Sequence, residues 1–199
     1  MRIIATMTLC AALTGCAPEP VVSYASNERV SLVAYRAPGP AVLTIFTIVS
    51  NRTGKGAHTA IMINGSQRVI FDPAGSFENE RVAEQQDVLF GVTPAVLAGY
   101  KSAHARSSYH VVSQTVTVTP EQAEIALNLA LENGAVAQTY CTNAATGLLR
   151  QVPGFEDITQ TFYPTKLMAQ MSERPGVVED RYYEDDAGTI KDGVAKVVL

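Results

Sequence analysis

The sequence predicts an α+β domain in which an antiparallel sheet packs against helices. Three observations predict it. Long β-branched apolar runs joined by tight turns fill the first half, helix-opening patterns cluster in the second, and no βαβ alternation connects them. With 199 residues, 47% of them hydrophobic, the chain suits one domain and is too apolar for a disordered one. A net charge of −4 excludes nucleic acid and anionic lipid headgroups as the main electrostatic partner.

Residues 1–15 read as an export signal. Met1-Arg2 gives a positive start, and the apolar run from Ile3 to Leu13 is far short of the ~20 residues that span a bilayer. Residues 16–27, opening Cys16-Ala17-Pro18-Glu19-Pro20, read as a tether. The domain is expected over 28–172. A strand is expected at 29–35, a Pro-Gly turn at 37–40, and at 41–50 a nearly continuous apolar strand buried on both faces. Residues 57–63 form the next strand, Asn64-Gly65 is a hairpin signal, and 68–71 is the returning strand, ended by Pro73-Ala74-Gly75.

Val96, Leu97 and Tyr100 share one face of a helix over 94–104, and 109–119 alternates as a half-buried strand. Thr119-Pro120-Glu121-Gln122 caps a helix that stops at Asn133-Gly134. Further helices are expected at 141–150 and 164–171. The acid-rich segment 173–199 reads as a solvated tail.

The chemistry-bearing residues are His58, at the start of a strand entering the hairpin, Asp72, at the end of its partner strand, and Cys141, where a helix begins. A thiol nucleophile needs thiolate character, which a helix N-terminus and an imidazolium both favour. The imidazole then serves as base and acid, and a third polar group holds its other nitrogen. His104 and His110 read as surface or structural positions. No His/Cys spacing reads as a metal site, and no phosphate loop or Gly-x-Ser-x-Gly is present, so no cofactor is expected.

Two resemblances carry the reading further. Leu13-Thr14-Gly15-Cys16 resembles the lipobox of bacterial lipoproteins. That resemblance implies cleavage before Cys16 and acylation of its sulfur and new amine. The chain would then be a membrane-anchored lipoprotein, placed by Ala17 in the outer membrane facing the periplasm. The order strand-borne His58, Asp72 after the hairpin, helix-borne Cys141 is similar to the circularly permuted NlpC/P60 group of papain-like proteins, which includes the lecithin:retinol acyltransferase-like branch. It implies a papain-like fold, Cys141 as nucleophile, His58 as base and acid, and Asp72 as orienting residue. Asp followed by Pro departs from the His, Glu or Asn that the family places in the third role. The implied activity is a thiol hydrolase or acyltransferase acting on a cell-wall peptide amide or a lipid ester. The alternatives are an inactive papain-like binding or scaffold lipoprotein, or a lipoprotein chaperone with Cys141 simply buried. Asp72 has its own bland reading, as the former of the turn at Pro73.

Overall fold

The computed structural model describes residues 24–75 and 77–197. The export signal and Cys16 lie outside the described residues, as does most of the tether. Among the described residues no helix is long and apolar enough to cross a membrane.

Among the described residues seven strands form one antiparallel sheet: β1 (Val42–Ser50), β2 (Gly56–Asn64), β3 (Arg68–Phe71), β4 (Glu84–Gln85), β5 (Val88–Leu89), β6 (Tyr109–Thr117) and β7 (Val178–Tyr182). They lie in the order β4-β5-β3-β2-β1-β6-β7. Six helices of the described residues accompany them: α1 (Asn27–Leu32), α2 (Pro94–His104), α3 (Pro120–Glu132), α4 (Cys141–Leu149), α5 (Pro164–Ser172) and α6 (Ile190–Lys196). The molecule is therefore mixed α+β, as the sequence predicts.

The apolar run of β1 is continuous because both faces of the sheet are covered. Leu43 and Ile45 join Ile61 and Ile63 of β2 under Leu127, Leu148, Leu149 and Leu167 of α3, α4 and α5. Phe46 and Ile48, one residue out of phase, join Ala60 and Met62 under Val96, Tyr100 and Ala103 of α2 and Val194 of α6. Period-two alternation thus feeds two cores from the same strands.

Two segments depart from expectation. Residues 29–35 form no strand. Ser26 accepts a hydrogen bond from the Arg29 N–H at 3.2 Å and opens α1. Cap chemistry overrides the β-branched content there, and Val30 packs against the core from the helix. The acid-rich C-terminal segment is largely exposed along β7, yet it is tied to the body. β7 pairs with β6 from Val111↔Tyr182 to Thr115↔Val178, and α6 rests on α2.

Candidate active site

The β2–β3 hairpin sets the first pair of side chains. Ile61 faces Phe71 and Asn64 faces Arg68, so His58 and Asp72 emerge from adjacent strands beyond the paired stretch. The β1–β2 register slips beside His58, with Ile48 opposite His58 but Val49 opposite Gly56. That bulge leaves Ala57 unpaired and turns the strand end towards the cleft. His58 Nε2 lies 2.7 Å from Asp72 Oδ1. A carboxylate only accepts, so Nε2 carries the proton and Nδ1 is left for another partner. Tyr100 of α2 donates its hydroxyl to the same Asp72 oxygen, at 2.7 Å.

Asp72 is held in turn by backbone. Its N–H donates to Asp87 O, its carbonyl accepts from Gly75 N–H, and a Cβ on Gly75 would fall 1.9 Å from Asp72 Oδ2. Only glycine leaves the carboxylate its place. The Asp87 carboxylate accepts from the N–H groups of Ala74 at 2.9 Å and Val136 at 2.8 Å. It thereby ties the turn after Asp72 to the loop that leads into α4.

That loop delivers Cys141 as the first residue of α4. Thr139, two residues earlier, has φ +75°, a strained conformation for a β-branched residue and one found chiefly where function over-determines the backbone. Tyr140 at the N-cap makes no side-chain cap, so no side chain of the cap neutralises the positive end of the helix. Thr142, next to the thiol, bonds Thr59 of β2 at 3.1 Å and fixes α4 against the strand that carries His58. Cys141 is 7% exposed.

The electrostatics are those of a coupled trio. Burial disfavours charge on His58, but the Asp72 carboxylate and its hydrogen bond, with the Cys141 sulfur, outweigh it and raise the imidazole to about 10. Burial likewise opposes a Cys141 thiolate. The hydrogen bond and charge of His58 overcome it, helped by Thr142 and the Thr59 backbone, and bring the thiol down to about 7. For Asp72 burial is again the largest influence, and His58, His104 and Tyr100 reverse it to hold the carboxyl below its usual range.

The structure places His58, Asp72 and Cys141, the three residues singled out in sequence, beside one another, and adds three supports that the sequence reading missed. Tyr100 and His104 lie one turn apart on α2, a spacing that puts both on one face; Asp87 sits in a tight turn without a motif. His104, expected at the surface or in a structural place, is 1% exposed and lies with its ring 6.0 Å from His58 and nearly parallel to it. His110 is structural, bonded through Nδ1 to Asn51 at 2.7 Å.

Ligand atoms of His58, Asp72 and His104 fall within 4.8 Å of one another. Asp72 Oδ1 is already shared by His58 and Tyr100, so His58 and Asp72 read as links of a proton-handling relay rather than as parts of an open coordination site. A cleft of about 640 Å³ reaches His58, His104 and Cys141, with Ile48, Tyr109 and Ile190 among its apolar walls. A nucleophile with depressed pKa, an imidazole poised to give and take a proton, and an apolar cleft together suit acyl transfer. No protein-family model, curated protein or solved structure matches the chain.

Proposed function

We propose that the chain is a thiol-dependent acyl-transfer enzyme, a hydrolase or acyltransferase acting on an amide or ester. The observation that carries this reading is the continuous relay Tyr100–Asp72–His58–Cys141 at an open cleft. The Cys141 thiolate attacks the carbonyl carbon, forming a C–S bond. The His58 imidazolium protonates the leaving nitrogen or oxygen as its bond to carbon breaks, and a thioester remains. Neutral His58 then takes a proton from water, whose oxygen attacks the thioester, and the C–S bond breaks to return the thiolate–imidazolium pair. The backbone N–H of Cys141, in the first turn of α4, is the natural oxyanion donor.

The order strand-borne His58, Asp72 after β3 and helix-borne Cys141, beside an antiparallel sheet, supports assignment to a permuted papain-like, NlpC/P60-type arrangement. The lipobox-like Leu13-Thr14-Gly15-Cys16 supports a lipid anchor at Cys16 and an envelope location, most simply the periplasmic face of the outer membrane. Cell-wall peptides and membrane lipids are the substrates such a place offers. Cys16→Ser tests the anchor: palmitate labelling disappears and the protein leaves the membrane fraction. Retained labelling overturns the assignment.

The site is tested by alkylating the protein with iodoacetamide across pH and following the Cys141 adduct by peptide mapping. Reactivity rises through a pKa near 7, and in His58→Ala that pKa returns towards the free-thiol value of about 8.5. An unreactive Cys141, or a profile indifferent to His58, leaves a papain-like binding or scaffold module as the better account.

A further inference from the structure

His104 holds an acceptor that the folded chain does not use. Its Nδ1 lies 2.8 Å from the Tyr100 carbonyl oxygen, and a carbonyl only accepts, so the proton is on Nδ1 and the lone pair on Nε2. Nε2 is buried and has no hydrogen-bond partner among the described residues. Four other side chains share that condition, those of Thr47, Arg68, Ser113 and Gln114, but of the five only His104 lines the cleft.

The donors of the relay and the nearest arginine bond elsewhere. The His58 Nε2–H and the Tyr100 hydroxyl both go to Asp72 Oδ1. Arg106, the cationic neighbour on the same cleft, engages its three nitrogens with Ala103 O, Asp186 Oδ1 and Ser102 O. A buried neutral imidazole with an unmet lone pair is costly to keep, and an apolar side chain of that size packs the same space without the cost. Burial, the largest influence on the ring, holds it below its ordinary range and so neutral, in keeping with an acceptor role.

We propose that His104 Nε2 is the acceptor of a substrate-recognition subsite beside the Cys141–His58 pair, and that it takes a neutral N–H or O–H group on the acyl portion of the substrate. The inference rests on the cleft being that of the proposed thiol enzyme. It makes His104 a specificity-determining residue: a donor-bearing acyl group completes the buried nitrogen, and a plain hydrocarbon leaves it unmet. Discrimination of this kind is steep because the penalty falls on the protein's own buried group.

The test uses three chloromethyl ketones of equal length whose acyl arm ends in an acetamido, a hydroxyl or a methyl group. In the wild-type protein the two donor-bearing probes label Cys141 on the order of tenfold faster than the methyl probe. The acetamido and hydroxyl arms tell an amide-type partner from an alcohol-type one. His104→Phe brings the ratio to about one and His104→Gln restores part of it through its own acceptor oxygen; the ratio compares probes on one and the same protein, so any change in thiol reactivity cancels. Equal labelling by all three probes in the wild type, or a ratio that survives His104→Phe, overturns the subsite while leaving the enzyme reading intact. A second readout does not need the thiol to react. The imidazole ¹⁵N resonance of His104 Nε2 shifts saturably with the corresponding methyl ketones that carry N–H or O–H, and is still with the methyl one. A proton found on Nε2, or a resonance that none of the ligands moves, overturns the proposal even where Cys141 proves inert.

Discussion

At the scale of single residues, charge is shared along a chain of contacts, and each link has a separable effect. The imidazole is raised to about 10 and the thiol lowered to about 7, so thiolate and imidazolium coexist between those two values. Below pH 7 the thiolate is lost, and above pH 10 the proton needed by the leaving group is lost; acylation is bell-shaped between them. Asp72→Asn keeps the shape of the side chain and removes its charge. The alkylation profile then moves up in pH, because the imidazolium that depresses the thiol is itself no longer supported. Tyr100→Phe leaves that charge in place and removes one hydrogen bond to it, costing about 1.5–3 kcal/mol in urea denaturation with a small shift in the profile. Equal profiles in wild type and Asp72→Asn would remove Asp72 from the relay and leave it a turn former. Cys141, His58 and Asp72 were legible in sequence because each sits at a boundary with a local signal: a helix start, a strand start, a strand end before proline. Tyr100 and His104 were not, since aromatic and histidine residues on an apolar helix face look the same whether they serve the core or a cleft.

At the scale of elements, the hairpin and its turn do the positioning. β1, β2, β6, α2, α3, α4 and α5 were readable because each is long enough for its period or its cap to show. β4 and β5 have two residues apiece, which is too short for any period, and β7 is an exposed edge strand whose partner lies far away in sequence. Backbone pairing of that kind leaves no mark on side-chain pattern. Gly75 shows how a small residue in a turn governs a distant function. Ala74 before it takes φ +54°, and the Gly75 Cα faces the Asp72 carboxylate at a distance that admits no methyl group. Gly75→Ala forces the carboxylate away from His58, so its alkylation profile follows that of Asp72→Asn. A Gly75→Ala protein with an unshifted profile would show that the turn yields instead of the carboxylate.

At the scale of the whole molecule, the sheet separates two cores, and the cleft opens where elements of both meet. Cys141 arrives from α4 on one face, while Tyr100 and His104 arrive from α2 on the other. The C-terminal segment then completes the cleft, with Gly188, Thr189, Ile190 and Lys191 on its lining. Its acids read as solvated in sequence, which holds for β7, but they also serve as anchors: Asp186 meets Arg106 and Lys196, Asp180 meets Lys101, and Glu184 meets Ser102. α6 sits close on α2 because Gly193 and Gly99 have no side chain; a Cβ on Gly193 would lie 2.7 Å from Ala103 O, and one on Gly99 would lie 2.5 Å from Val197. Ending the chain at Asp186 keeps β7 and removes this wall. Loss of the buried Val194 costs on the order of 1.5–3 kcal/mol. The thiol pKa stays near 7, because none of the groups that set it belongs to the deleted segment. A bulky maleimide, slow against the intact protein, gains on iodoacetamide in the shortened one. Unchanged relative rates would mean that the segment stands beside the cleft without limiting entry, and that the fit of an acyl group is set by the sheet and the α2 face alone.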